Sequence, residues 1–159
     1  MLRQEAGPVE VFDEQLARLV EDMFQTMYAA EGVGLAAPQI GISSRIFVID
    51  TRDEADPQGG RYAFINPEIV EASAEKDKAT EGCLSIPGVE EVVERPSSVR
   101  LRAQDVTGEW FELEGADLLG RALQHEHDHL EGILFLDRVS PLKRRMAVKR
   151  WKKLQEEDE

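Results

Sequence analysis

His125-Glu126-His127-Asp128-His129 is the stretch of sequence that decides the fold, because it places an H-E-x-x-H pattern inside an apolar helical repeat. Positions i and i+4 of a helix lie about 40° apart around its axis, one turn along. His125 and His129 can therefore point at one metal ion, with Glu126 beside them to take a proton from water. A polar turn of a surface helix can carry the same pattern, so the pattern alone leaves both interpretations open.

The helix that carries this pattern is predicted over residues 116–130, and Gly132 is its stop signal. Helical spacing assigns its apolar face to Leu118, Leu119, Ala122, Leu123 and Leu130. His127 is two positions from either partner and lies on the opposite side of the helix. We therefore predict a surface position for His127 and no contact with the same metal.

The whole chain is predicted to form a helix, then several strands, then two further helices, of which the first is the helix at 116–130. An N-terminal helix is predicted over 13–30 with Asp13 as its N-cap, and a basic helix from Pro141 to about residue 155. Strands are predicted at 45–50, 62–70 (interrupted at Asn66-Pro67), 89–93, 98–104 and 109–113, and loops at 32–41, 53–60 and 71–80. This order predicts an α+β fold, with mostly antiparallel sheets packed around the central H-E-x-x-H helix in one domain, 1–159.

Composition indicates a globular protein rather than a disordered or membrane-spanning one. The chain has 159 residues, of which 42% are hydrophobic and 32% charged. It has no apolar run near the ~20 residues of a membrane span and no signal-peptide region at its N-terminus. We therefore expect a cytoplasmic protein without a membrane partner. A net charge of −13 argues against DNA as a partner, although seven of the nineteen basic residues lie between Lys143 and Lys153.

A catalytic metal site needs three protein ligands, and the third is missing downstream of the histidines. Phe135 stands where one H-E-x-x-H class has its third histidine, and the glutamates after Gly132 all lie in the last four residues. Cys83 is the only cysteine and remains as the candidate. A cysteine is more often a buried structural residue, but a chain that lacks a third ligand favours thiolate ligation.

Within the segment 32–41, residues 32–37 match the dinucleotide-binding pattern G-x-G-x-x-A in letters only. A helix precedes it where a strand is required, so we reject a nucleotide site. Its glycines instead predict a loop that another backbone approaches closely. Gln39 can offer its side-chain amide to a developing oxyanion, or can bind its own backbone.

Outside this loop, Asp128 is a candidate ion-pair partner for the strand residue Arg95.

Three segments together resemble the signature motifs of peptide deformylases. They are Gly32-Val33-Gly34-Leu35-Ala36-Ala37-Pro38-Gln39, Glu81-Gly82-Cys83-Leu84-Ser85 and Gln124-His125-Glu126-His127-Asp128-His129-Leu130-Glu131-Gly132. The family patterns are G-x-G-x-A-A-x-Q, E-G-C-L-S and Q-H-E-x-D-H-L-x-G, and here they occur in the same order and spacing. The resemblance covers about residues 8–140, which is nearly the whole chain.

The resemblance implies hydrolytic removal of the formyl group from the N-formylmethionine of newly synthesised polypeptides, with release of formate. It implies that Cys83, His125 and His129 hold one divalent metal ion, generally Fe²⁺, with Zn²⁺ or Ni²⁺ as alternatives. It implies that Glu126 moves the proton and that the Gln39 side chain and the Leu84 backbone N–H meet the oxyanion.

The resemblance also implies where the substrate binds. The formylated peptide would lie extended along the Gly34 loop and the neighbouring strand edge. Its methionine side chain would be lined by Val33, Leu118, Ala122 and His125, with Arg121 either beside the pocket or exposed to solvent.

Two other functions stay open from the sequence. One is another metallohydrolase such as a small peptidase, which the missing downstream ligand disfavours. The other is a non-catalytic metal-binding or ribosome-associated homologue, which the presence of Glu126 and Gln39 disfavours. The basic segment from Lys143 to Lys153 is either a solvated helix face or a surface that docks on ribosomal RNA. A bacterial cytoplasm is the expected location.

Overall fold

The computed structural model of this chain describes residues 5–52, 60–83 and 86–133, together with 142, 145, 146 and 149. At 82, 83, 86–89 and 91 it describes the backbone alone. The helices are α1 (Glu14–Ala29) and α2 (Asp117–Leu130), with a 3₁₀ helix at Ala37–Ile40. The strands are β1 (Gly34–Ala36), β2 (Ile46–Asp50), β3 (Arg61–Ala72), β4 (Lys76–Cys83), β5 (Ile86–Pro96), β6 (Ser98–Gln104) and β7 (Trp110–Ala116).

Helix α1 forms where its apolar spacing predicts it. The carboxylate of Asp13 accepts a hydrogen bond from the backbone N–H of Leu16 at 3.1 Å and so caps the first turn. The helix buries one stripe of side chains, made up of Leu16, Val20, Met23, Phe24 and Met27. These positions recur every three or four residues, which is the period of a helix packed on one side.

The main sheet has five antiparallel strands in the order β1-β2-β3-β6-β7. Strand β2 is buried on both faces, and successive side chains of a strand point to opposite faces. Ile46 and Val48 pack in the cluster that contains the α1 stripe. Phe47 and Ile49 pack with the α2 leucines on the other face. The sheet therefore lies between the two helices, and the predicted α+β fold is confirmed.

The other sheet is the β4–β5 hairpin, and it corrects the loop predicted at 71–80. Strand β3 continues to Ala72, and β4 begins at Lys76. Residues 76–80 are exposed or half-buried, so they carry no apolar alternation that would reveal a strand. The pairing of the two backbones along the hairpin holds β4 in place instead.

The loop predicted at 32–41 is also wrong, because these residues form β1 and the 3₁₀ helix. Strand β1 pairs with β2, and its residues Leu35 and Ala36 are buried. Of the predicted C-terminal helix at 141–155, the structure describes 142, 145, 146 and 149, all of which have helical backbone. Its other positions and 53–59 lie outside the described residues. No helix within the described ranges has the length and hydrophobicity needed to cross a membrane.

An interruption of the strand was predicted at Asn66-Pro67, and the structure shows an irregular register there within a continuous strand. Strand β3 runs through both residues with a register shift between Ile65 and Glu68. Asn66 has a left-handed backbone (φ 52°). Its side chain accepts from the Val9 N–H at 2.7 Å and donates to the Val9 carbonyl at 2.9 Å and to Gln104 Oε1 at 2.8 Å. Asn66 thus ties the N-terminal segment at Val9 to strands β3 and β6.

Replacing Asn66 by alanine should lower the free energy of unfolding by about 2–3 kcal/mol. The change removes three hydrogen bonds, each worth about 1 kcal/mol net, and replaces asparagine, which tolerates a left-handed backbone, by alanine, which adopts it less readily. Urea unfolding measures the loss. Asn66→Gly keeps the backbone conformation accessible and should lose less than Asn66→Ala, and equal losses in the two variants would contradict the backbone contribution.

Candidate metal centre and active site

Helix α2 brings His125, Glu126 and His129 together on the side that faces β1 and the hairpin. One ligand atom from each of the three lies within 4.8 Å of the others. The two imidazole rings have centroids 5.0 Å apart and meet edge to face at 71°. His127 is outside this group, with Nε2 3.7 Å from Glu131 Oε1. His127 lies outside the candidate metal group, as predicted. Its side chain is only 14% exposed, whereas a surface position was predicted.

Glu126 is a buried carboxylic acid with little to stabilise its charge. It is 5% exposed, and burial raises its pKa to about 7. Within the described residues, its Oε1 has no hydrogen-bond partner. A carboxyl group with a pKa close to neutrality can accept and return a proton at physiological pH.

The two histidines are prepared as candidate metal ligands by different means. His129 is 1% exposed, and burial lowers its pKa to about 3, so its imidazole is neutral. His125 Nδ1 lies 3.0 Å from Glu81 Oε1. Although burial by itself raises the pKa of Glu81, hydrogen bonds from His125 and Arg95 lower it to about 2. The ionised carboxylate can only accept, so Nδ1–H donates and Nε2 keeps its lone pair for a metal.

Glu81 belongs to a buried ion-pair network that joins the hairpin to α2. Arg95 on β5 donates to Glu81 through Nε at 2.5 Å and through Nη2 at 2.7 Å, and to Asp128 through Nη1 at 2.9 Å. The predicted pairing of Asp128 with Arg95 is confirmed. All three side chains are at most 6% exposed. Glu81 was not predicted as a site residue, because its contact with His125 joins positions 44 apart and leaves no signal in local spacing.

Replacing Glu81 by glutamine should weaken metal binding about 10- to 100-fold. Glutamine can still accept from His125 Nδ1–H, but it lacks the charge that makes the imidazole more basic. Competition with a chelator, using zinc-loaded protein, measures the dissociation constant. Glu71→Gln is the matched control because Glu71 pairs with Arg100 at the surface. A dissociation constant unchanged in both variants would contradict the role assigned to Glu81.

Arg121 is largely buried, and its guanidinium group is already bound to groups of the hairpin. It contacts the Glu81 carboxylate and donates to the carbonyls of Val93 at 2.9 Å and Asp77 at 2.8 Å. Its side chain is 14% exposed. Gln124 adds a hydrogen bond to the Pro96 carbonyl at 3.0 Å. These contacts attach the hairpin to the helix that carries the histidines.

The other candidate residues surround this centre. Gln39 is half-buried, and its Oε1 accepts from the Ala36 N–H at 2.8 Å. This bond is the contact with its own local backbone that the sequence left open as an alternative role for Gln39. Leu118 is half-buried and Ala122 is 8% exposed, and both lie on the His125 side of α2.

The remaining candidates lie on β1 and β4. The carbonyl of Val33 accepts from the Asp50 N–H at 2.9 Å, and Gly34 follows as the first residue of β1. We predicted that another backbone would pass close to the glycines of this segment. In the structure, the group next to Gly34 is the side chain of Glu126. Cys83 ends β4 two residues after Glu81, and its side chain is not described. Leu84 lies outside the described residues.

Comparisons of the sequence and of the structure with known proteins both match peptide deformylases. A family model described as polypeptide deformylase matches residues 1–145. The peptide deformylase of Acidobacterium capsulatum is 50% identical over 155 residues, which is 98% of this chain and 90% of the relative. That of Brucella suis is 47% identical, over 97% of this chain and 87% of the relative. The crystal structure of a peptide deformylase from Legionella pneumophila superposes with a TM-score of 0.90 at 47% identity, covering 99% of this chain and 90% of that one.

Proposed function

Because this chain belongs to the peptide deformylase family, we propose that Glu126 moves the proton of its reaction beside a metal ion held by Cys83, His125 and His129. The reaction is the hydrolysis of the formyl group from N-formylmethionine at the N-terminus of newly synthesised polypeptides. The observation that carries the proposal is the buried group of His125, Glu126 and His129, with ligand atoms within 4.8 Å of one another.

The donor set fits a divalent metal ion. His129 is neutral because it is buried, and His125 is oriented by Glu81. Cys83 would supply a thiolate from the end of β4, whose residue Glu81 contacts His125. Two imidazoles and one thiolate leave a fourth position open, as in catalytic sites. We propose Fe²⁺ as the native metal, with Zn²⁺ or Ni²⁺ as substitutes. When bound, the metal lowers the pKa of the attacking water and polarises the formyl oxygen.

Glu126 carries the proton in both directions. Its carboxylate accepts a proton from the water whose oxygen attacks the formyl carbon. It then returns that proton to the departing nitrogen as the C–N bond breaks, so that formate and a free amino group are released. Burial supports this role, because a pKa of about 7 keeps both proton acceptance and proton return accessible near neutral pH.

Gln39 and the backbone N–H of Leu84 would stabilise the oxyanion. The Oε1 of Gln39 accepts from the Ala36 N–H at 2.8 Å, which supports a fixed orientation of the Gln39 amide beside the centre. The extended peptide would pair with the β1 edge near Val33 and Gly34, because β1 is the edge strand of the sheet. Leu118 and Ala122 would line the methionine pocket, and Arg121 would form its border through the hairpin that it holds.

Formate release from formyl-Met-Ala-Ser by anaerobically purified, iron-loaded protein tests this function. The expected result is formate from the wild-type protein and almost none from Glu126→Ala with its metal retained. Cleavage of unformylated peptides would instead favour a small metallopeptidase. Absence of formate from the iron-loaded wild type would favour a non-catalytic homologue.

We also propose that the C-terminal helix docks on ribosomal RNA. Arg145 and Lys149 are both exposed, which supports contact with phosphates. Exchanging both residues for glutamate should abolish co-sedimentation with ribosomes at low salt, with Arg18→Glu on α1 as a matched control. Unchanged co-sedimentation would defeat the proposal. We further propose a single domain over 1–159, which the family match over residues 1–145 supports. We propose a bacterial cytoplasmic location because formylated chains emerge from bacterial ribosomes.

A further inference from the structure

Gly34 lies where any side chain would collide with the Glu126 carboxylate. A β-carbon at position 34 would lie 2.5 Å from Glu126 Oε2, 3.0 Å from Cγ and 3.1 Å from Cδ. A separation of 2.5 Å essentially never occurs for a real β-carbon, and the separations of 3.0 and 3.1 Å are tighter than most such contacts. Only glycine at this position leaves room for the carboxylate where it now stands.

The backbone of Gly34 has no room to retreat from this contact. Gly34 pairs with Ile49 in the β1–β2 ladder, and the preceding carbonyl of Val33 accepts the Asp50 N–H at 2.9 Å. The next residues, Leu35 and Ala36, are 3% and 0% exposed. A collision at position 34 would therefore displace the end of the Glu126 side chain rather than the strand.

Glu126 is held mainly by packing. It is 5% exposed, and no hydrogen bond from the described residues reaches its Oε1. The contact between Oε2 and the Gly34 backbone is one of the surfaces that orient the carboxylate. We propose that Gly34 is a positioning residue for catalysis, which keeps the Glu126 carboxylate where it can move the proton. This inference rests on the proton-transfer role of Glu126 proposed above.

Kinetics of Gly34→Ala give the first test. Displacing a proton-transfer group by about 1 Å costs on the order of 10²-fold in rate, so kcat should fall about 10²-fold. KM and the metal content should stay close to those of the wild-type protein. Gly7→Ala is the matched control, because a β-carbon there would lie 3.8 Å from the Ser43 carbonyl oxygen, an ordinary contact. A raised KM with an unchanged kcat would assign Gly34 to peptide docking alone and overturn the proposal.

Thermal unfolding of the metal-free proteins gives a test that is independent of activity. Gly34→Ala should lower Tm by roughly 3–8 °C when Glu126 is present, because the added carbon crowds the carboxylate. In the Glu126→Ala background the new methyl group enters vacated space. Tm should then stay constant or rise slightly, since alanine restricts the unfolded chain. An equal fall of Tm in both backgrounds would show that the collision partner is not Glu126.

Glu126→Asp completes the design if Gly34→Ala alone folds poorly. Aspartate is one methylene shorter, so its carboxylate withdraws from position 34. Adding Gly34→Ala to Glu126→Asp should reduce kcat less than about 3-fold, against about 10²-fold with glutamate. A full 10²-fold effect in the aspartate background would overturn the proposal. Loss of activity in Glu126→Gln tests the role of Glu126 itself and does not depend on residue 34.

Discussion

Glu126→Gln should reduce kcat roughly 10²- to 10⁴-fold, which is the usual contribution of a general acid–base group. Glutamine keeps the volume of the side chain but cannot accept a proton from water. The metal content should be unchanged, because the proposed ligands are Cys83, His125 and His129. Formate release under saturating substrate, with metal analysis of the same samples, measures both quantities. A variant with more than a third of the wild-type kcat would remove Glu126 from the mechanism.

The same substitution should change how stability depends on pH in the metal-free protein. Burial raises the pKa of Glu126 from its ordinary value of 4.5 to about 7. The folded state therefore holds a proton that the unfolded state has lost between these pH values. The free energy of unfolding should fall by about 3 kcal/mol as pH rises from 4.5 to 7. Urea unfolding of Glu126→Gln should lack this fall, and identical pH profiles for the two proteins would contradict the assignment.

Arg95→Met should lower the free energy of unfolding by about 3–5 kcal/mol. The guanidinium is 3% exposed and compensates two carboxylates, Glu81 and Asp128, that are themselves buried. Removing one partner of a buried ion pair leaves uncompensated charge in the interior. Chemical unfolding at pH 7 measures the loss, and the metal dissociation constant should rise in parallel because Glu81 also orients His125.

Arg100→Met is the matched control for Arg95→Met. Arg100 pairs with Glu71 at 2.8 Å, but its side chain is 46% exposed and its charge is screened by solvent. Its replacement should cost less than about 1 kcal/mol. Similar losses from the two substitutions would mean that the buried network contributes no more than a surface ion pair. In that case the attachment of the hairpin to α2 would rest on Arg121 and Gln124.

Elements with a strong local signal were predicted closely. The predicted helix at 116–130 compares with Asp117–Leu130, and the helix at 13–30 compares with Glu14–Ala29. Each segment has a 3.6-residue apolar period, Asp13 caps the first helix and Gly132 follows the second, so no distant contact is needed to recognise them. The strand β4 lacked any such signal. Its polar residues become a strand only through pairing with β5.

The residues of the site likewise fall into those with a local sequence signal and those placed by distant contacts. The sequence by itself determined the candidate ligand pair His125 and His129 and the candidate proton carrier Glu126, because all three lie within five residues of one helix. Only the tertiary structure decided that Glu81 orients His125 and that Arg121 holds the hairpin. It also decided that Gly34 makes room for Glu126. These contacts join residues 28 or more positions apart, and they depend on strand register and on the packing of the hairpin and β1 against α2. Spacing along one segment carries no information about such contacts.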